Sequence, residues 1–346
     1  MFKLSTFEIP DDWLTIETIE MHTGGEPLRV ILDGFPELKG NSVLEYRSYI
    51  RRHFDHLRTA LMFEPRGHAD MYGVVVTPSE IADFGVVFLH NEGYSTMCGH
   101  ATIAVAKLAV EAGWVKKVEP ETKILIEAPC GVLTAYVKVE DGRIQDVRFL
   151  NVPSYVVALD QVVEVPGLGQ VRYDLAYGGA YYSYVNAEDL ELKCTSNDYL
   201  DLIRHGMAIK KAVMKSTEII HPKEEDLGFL YGTIFIGGPV SEGVDSRNVC
   251  IFADGEVDRS PTGSGVSGRV AIHHERGELD VGDSMKIESI LGTVFECKVV
   301  DEVDFEGVEA VIPEVTGTAY VTGKNTFTLD PQDPLKSGFI FRNNFD

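Results

Sequence analysis

The sequence predicts a strand-rich chain of mixed α and β structure, built as two halves of similar topology around a shared cleft. Three observations carry this. Short β-branched runs recur along the chain between Gly-containing turns, the pattern of antiparallel hairpins. One segment of helical character, Ala101 to Ala112, is apolar nearly all round apart from Thr102, Lys107 and Glu111. A helix without a polar face is a buried one. Finally, four short segments recur in the same order between 154 and 164 residues further on, the mark of an internal duplication.

In chain order, Arg47 to Leu61 reads as an amphipathic surface helix, and Val74-Val75-Val76 and Val86-Val87-Phe88 as strands. The buried helix follows. Lys123 to Glu127 and Val132 to Val139 are strands joined at Cys130-Gly131, and Asp141-Gly142 marks the next turn. Tyr199 to Thr217 is a second amphipathic helix. Ile234-Phe235-Ile236, Asn248 to Phe252 and Met285 to Ile290 are further strands.

The duplicated segments are Thr23-Gly24-Gly25 with Tyr177-Gly178-Gly179, and Met71-Tyr72-Gly73 with Leu230-Tyr231-Gly232. Thr96-Met97-Cys98-Gly99-His100 likewise matches Ser260-Pro261-Thr262-Gly263-Ser264, and Ile126-Glu127 with Gly131 matches Ile287-Glu288 with Gly292. The expected division is a first half over 13–160 and a second over 170–330, joined near Pro153 to Gly169, with a C-terminal segment free to return to the first half. A chain of 346 residues is two domains' worth at about 150 each.

Composition narrows the function classes. With 31 Lys and Arg against 54 Asp and Glu, the net charge is −23, which disfavours nucleic acid, since phosphate binding needs clustered cations. The apolar stretch from Val74 to Leu89 is broken by Glu80 and Asp83, far short of the roughly 20 residues of a membrane span. No basic region precedes an apolar run at the N-terminus, so the expectation is a cytoplasmic protein. Five scattered cysteines, Cys98, Cys130, Cys194, Cys250 and Cys297, read as free thiols with no C-x-x-C spacing for structural zinc.

The third duplicated segment places the chemistry. In each half Thr96 or Ser260 offers an N-cap and a small-residue helix follows, with Pro261 suited to a helix start. Unpaired N–H groups and the helix dipole at two such starts facing one cleft would grip a carboxylate between them. Cys98 sits at the first start, where that field is expected to lower a thiol pKa toward the thiolate, and His100 lies two residues on. Asp258, ahead of the second helix, suits a cationic ring nitrogen or amine of a substrate. Thr262 takes the place equivalent to Cys98, and this asymmetry is the most specific statement the sequence makes about reaction type.

The segments Met21-His22-Thr23-Gly24-Gly25-Glu26-Pro27, Asp70-Met71-Tyr72-Gly73, Met97-Cys98-Gly99-His100 and Asp258 to Gly265 resemble the signature segments of the proline racemase superfamily, over nearly the whole chain. In that family two cysteines face each other across the substrate Cα. The resemblance implies an α+β, diaminopimelate-epimerase-like fold: two pseudosymmetric halves, each a β-barrel-like sheet around a central helix. It implies Cys98 as the base, backbone groups of Gly99, His100, Gly263 and Ser264 around the carboxylate, and the His100 and Asp258 side chains near the ring nitrogen. A homodimer acting on a small imino acid is implied as well. Cys98 paired with Thr262 resembles the superfamily's dehydrating members, which implies conversion of trans-3-hydroxy-L-proline to Δ1-pyrroline-2-carboxylate and water.

Chemistry agrees with that pairing. Racemisation needs a base on one face of Cα and an acid on the other, and a threonine hydroxyl serves neither role at neutral pH. In trans-3-hydroxy-L-proline the hydroxyl shares a ring face with the Cα hydrogen, so one thiolate can remove the proton and then, as the thiol, protonate the departing hydroxide. No metal, flavin or other cofactor is required. The alternatives are a 4-hydroxyproline 2-epimerase or proline racemase with another acid and, more distantly, an NAD-binding dehydrogenase. The last rests on Gly263-Ser264-Gly265-Val266-Ser267-Gly268, which satisfies G-x-G-x-x-G with Asp283 about 20 residues on.

Overall fold

The computed structural model describes residues 7–341. The first half of the chain supplies β1 (Leu14–Thr23), β2 (Glu26–Asp33), α1 (Val43–His53), α2 (Asp55–Met62), β3 (Gly73–Thr77), β4 (Phe84–Leu89), α3 (Gly99–Glu111), β5 (Glu121–Ala128), β6 (Gly131–Glu140) and β7 (Arg143–Leu150). There follow β8 (Tyr155–Val165), β9 (Gly169–Tyr177), β10 (Tyr181–Asn186), α4 (Tyr199–Ser216), β11 (Leu230–Gly237), β12 (Ser246–Phe252), β13 (Glu256–Val257) and α5 (Gly263–Glu275). The chain closes with β14 (Ser284–Glu288), β15 (Val294–Phe305), β16 (Val308–Gly317) and β17 (Ala319–Leu329).

The strands pair as two runs with one pattern. The first is β17-β1-β2-β3-β4-β5-β6-β7, with β2–β3 and β4–β5 parallel and the other neighbours antiparallel. The second is β8-β9-β10-β11-β12-β14-β15-β16, with β10–β11 and β12–β14 parallel and the rest antiparallel. Antiparallel β7 and β16 join the runs. The last strand, β17, returns to flank β1. No strand ladder among the described residues joins the two ends of either run; in the second, a single antiparallel bridge between Ser154, just before β8, and Val311 of β16 links them, and each sheet wraps its helix without closing as a barrel. The expected α+β architecture, two halves each with a barrel-like sheet around a central helix, is what forms, with neither sheet closed as a barrel.

Helix α3 packs against β1, β2, β5, β6, β7 and β17, and α5 against β8, β9, β15 and β16. Both are 13 residues long and buried along most of their length, which is why neither shows an amphipathic pattern. The expected surface helix over Arg47 to Leu61 is instead two, separated at Phe54, whose φ of −130° leaves the helical region. Helix α4 spans nearly the range read from sequence. Among the described residues no helix is long and apolar enough to cross a membrane.

In each run the turn that carries the duplicated Gly-Gly pair braces the other run's helix start. The β1–β2 turn lies against Arg259 and Ser260. There Glu26 Oε2 accepts the Arg259 N–H at 2.7 Å, and the Thr293 hydroxyl donates to Gly24 O at 2.8 Å. Reciprocally, the β9–β10 turn lies against Met97, and the Thr96 hydroxyl donates to Gly179 O at 2.7 Å. These crossed contacts fix where α3 and α5 begin relative to one another.

Candidate active site

The two helices start nose to nose. A Cβ on Gly99 would stand 2.5 Å from Gly263 Cα, and one on Gly263 would stand 2.6 Å from Gly99 Cα. Only glycine at both places lets the backbones come this close. The first intrahelical bonds are Thr102 N–H to Cys98 O at 3.0 Å and Val266 N–H to Thr262 O at 2.8 Å. The N–H groups of Gly99, His100, Gly263 and Ser264 therefore lie ahead of both helical ladders, clustered where two positive dipole ends meet.

Around this junction Cys98, Gly99, His100, Asp258, Thr262, Gly263 and Ser264 line one cavity. All seven residues singled out from the sequence are thus brought together. The remaining wall was not foreseen: Tyr72, Met97, Tyr182, Tyr231 and Phe252. Tyr72 and Tyr231 do lie in a duplicated segment, a signal that marked their place without their role. Tyr182 and Phe252 had no sequence signal. The free space between these walls is small, about 20 Å³, and Cys98, His100, Asp258 and Thr262 are each no more than 5% exposed.

Cys98 is the N-cap of α3, in extended conformation, and its Sγ accepts the Ala101 N–H at 3.4 Å. His100 Nδ1 lies 3.2 Å from the sulfur. The thiol pKa runs opposite to the expectation. Burial pushes it well above its ordinary value, and the charges of Asp258 and Glu26 add to that; the Ala101 N–H and the Tyr72 hydroxyl offset only part. Desolvation outweighs the helix start because the thiolate loses all bulk water here. Burial also holds His100 neutral, with a pKa of about 3.

Thr262 is the N-cap of α5, with φ 69° and ψ 91°. Positive φ on a β-branched residue is rare and costs strain, a feature that gathers at functional sites. Its buried Oγ1 makes no hydrogen bond of good geometry within the protein, though it lies near enough to the Asp258 carboxylate to help hold that group's pKa down. The Asp258 carboxylate accepts the Ser260 N–H at 2.7 Å, and burial raises its pKa to about 6. Glu26 is fully buried beside it. Burial, then repulsion from Asp258, lifts its pKa well above the carboxylate range.

The glycine run Gly263 to Gly268 serves packing. A Cβ at Gly265 would lie 2.4 Å from Ile234 Cδ1, and one at Gly268 2.1 Å from the Tyr184 hydroxyl. All three glycines lie inside α5 rather than in a loop leaving a strand, so the dinucleotide fingerprint lacks its structural context.

Two facing helix starts, a buried carboxylate and one thiol thus share a single cavity. Residues 18–340 match the proline racemase family, and the chain belongs to it. It is 51% identical over 334 residues to a trans-3-hydroxy-L-proline dehydratase of Colwellia psychrerythraea, covering 96% of this chain and 94% of the relative. It is 46% identical over 330 residues to a 3-hydroxyproline 2-epimerase of Burkholderia multivorans, covering 95% and 98%. Among solved structures, a hydroxyproline epimerase of Agrobacterium vitis with bound trans-4-hydroxy-L-proline superposes with a TM-score of 0.90 at 29% identity. That match covers 95% of this chain and 96% of the other.

Proposed function

We propose that this chain is a hydro-lyase that converts trans-3-hydroxy-L-proline to Δ1-pyrroline-2-carboxylate and water, with Cys98 as the base at Cα. One observation carries the reading. At two matched helix starts one N-cap bears a thiol and the other a threonine hydroxyl, so acid–base capacity at Cα exists on one face only. Identity to the Colwellia psychrerythraea dehydratase over almost the full chain supports the same reaction.

In this reading the substrate carboxylate takes the N–H groups of Gly99, His100, Gly263 and Ser264, and the ring nitrogen lies between Asp258 and neutral His100. Binding that cation offsets the acidic field that disfavours the Cys98 thiolate. The thiolate removes the Cα hydrogen, and the aci-carboxylate charge develops against the two helix starts. Expulsion of the 3-hydroxyl from the same face gives an enamine, which tautomerises to the pyrroline. Thr262 accepts or donates a hydrogen bond on the opposite face but has no basic group with which to deliver a proton to Cα.

The test is incubation with trans-3-hydroxy-L-proline in heavy water, following pyrroline carboxylate and Cα deuterium together. Pyrroline formation, lost in Cys98→Ser, is the expected result. The 46% identity to an epimerase supports a second reading. Deuterium incorporation with inversion and no water loss would establish that one and overturn the dehydratase.

A further inference from the structure

Cys98 can protonate the leaving hydroxide only after it has taken the Cα proton. While Cys98 is a thiolate it has no proton to give, so loss of hydroxide in step with Cα deprotonation needs a second group already holding one. Hydroxide is a poor leaving group unless that proton arrives as the C–O bond breaks.

Tyr72 stands where such a donor must be. It lines the cavity beside Cys98. Its ring packs edge-on to His100 with centroids 4.8 Å apart, which places it on the Cys98 side. It is fully buried in the wall, 1% exposed, and its hydroxyl is hydrogen-bonded to the Ser95 hydroxyl. Burial, followed by the charge of Cys98, raises its pKa well above an ordinary phenol, and its hydroxyl also interacts with the thiol. It is therefore a neutral donor throughout the working pH range. Tyr231, the equivalent residue, lies beside Tyr72 in the same wall, and the helix start of its own half carries Thr262 in place of a thiol.

Resting on the dehydratase reading above, we propose that Tyr72 is a catalytic residue, the general acid that protonates the departing 3-hydroxyl. The Cys98 thiolate takes the Cα proton, and the C–H electron pair becomes the Cα–C3 double bond. The C–O bond breaks with its electrons going to oxygen, and Tyr72 delivers its proton to make water. The resulting tyrosinate takes the proton from the Cys98 thiol, restoring both groups without any external reagent.

The experiment compares two substrates on wild type and Tyr72→Phe: trans-3-hydroxy-L-proline and the 3-fluoro analogue of the same configuration. Fluoride departs without protonation. The expected result is a fall of about 100-fold in pyrroline formation from the hydroxy substrate, at the lower end of general-acid effects. Fluoride release should change by less than about threefold, which also shows that the variant is folded with Cys98 competent. A parallel fall with both substrates would overturn the proposal by making Tyr72 a structural or Cys98-tuning residue, and no fall with either would overturn it outright. Wild type releasing neither water nor fluoride would instead count against the dehydratase reading itself.

Discussion

Replacing Asp258 by Asn should remove activity and stabilise the fold at the same time. The carboxylate lies in the cavity wall with its Oδ1 accepting the Ser260 N–H at 2.7 Å. Burial wins over that bond and over nearby Arg259, and the pKa rises from an aspartate's ordinary 3.8 to about 6. At ~1.4 kcal/mol per unit, the roughly two-unit rise makes the ionised side chain cost about 3 kcal/mol in the folded state. The folded chain holds this proton to higher pH than the unfolded chain does. The contribution is thus absent below about pH 3, grows destabilising as pH rises through 4 to 6, and is constant above. Asparagine is neutral throughout and keeps an acceptor for the Ser260 N–H. Urea unfolding should show Asp258→Asn more stable by about 3 kcal/mol near pH 7.5, by about half that near pH 5, and scarcely different near pH 3. Turnover of trans-3-hydroxy-L-proline should meanwhile fall by about 100-fold or more as the ring cation loses its partner. An equal or lower stability at pH 7.5, or a gain that does not shrink toward acid, would refute the reasoning.

Four further outcomes follow from the same geometry. For wild type, kcat/KM should decline below about pH 6 as free-enzyme Asp258 protonates, and a pH–rate profile lacking that limb would contradict the role given to this carboxylate. Gly99→Ala or Gly263→Ala should lower stability by about 1–3 kcal/mol and abolish turnover, because the new Cβ would meet the facing backbone at 2.5 or 2.6 Å; chemical unfolding and an activity assay read both. Thr262→Cys should gain Cα deuterium exchange or epimerisation with proline or 4-hydroxyproline, detected by NMR in heavy water, and a folded variant showing neither would mean that more than this position sets the reaction. Cys98 in the ligand-free protein should alkylate more slowly with iodoacetamide at pH 8 than a free thiol does, since burial holds it protonated; intact-mass spectrometry follows the rate.

The site was more legible in the sequence than the sheet that holds it. Cys98, Thr262, His100 and Asp258 were identified because duplication showed where two helix starts recur. The cavity confirms their proximity without needing any long-range information beyond that symmetry. Strands carrying β-branched runs were read correctly: β3 and β4, almost wholly interior, are nearly continuous ones, and β6 has the alternation of a half-buried strand. Strand β15 also alternates exposed and buried residues, but its outward Glu296, Lys298 and Asp301 dilute the apolar signal. Strand β10 is buried yet reads as Tyr181-Tyr182-Ser183-Tyr184 rather than as a β-branched run, and β17 is exposed over most of its length. The break at Phe54 has no glycine or proline to announce it. The thiol's direction of shift was misjudged because a helix start is local and visible in sequence, whereas desolvation is set by Tyr72, Tyr231 and Phe252, residues far away along the chain.

The pairing of β1 with β17 has a consequence for biosynthesis. Strand β1 ends at Thr23 and its outer partner begins at Ala319, so at a ribosomal pace of about 5–20 residues per second the first sheet waits roughly 15–60 s for its last strand. Cys98 emerges early, but the backbone facing its helix start is that of Gly263, much later in the chain. During synthesis the protein therefore carries a thiol whose opposing wall has yet to be made, and a chain ended before α5 never completes that cavity.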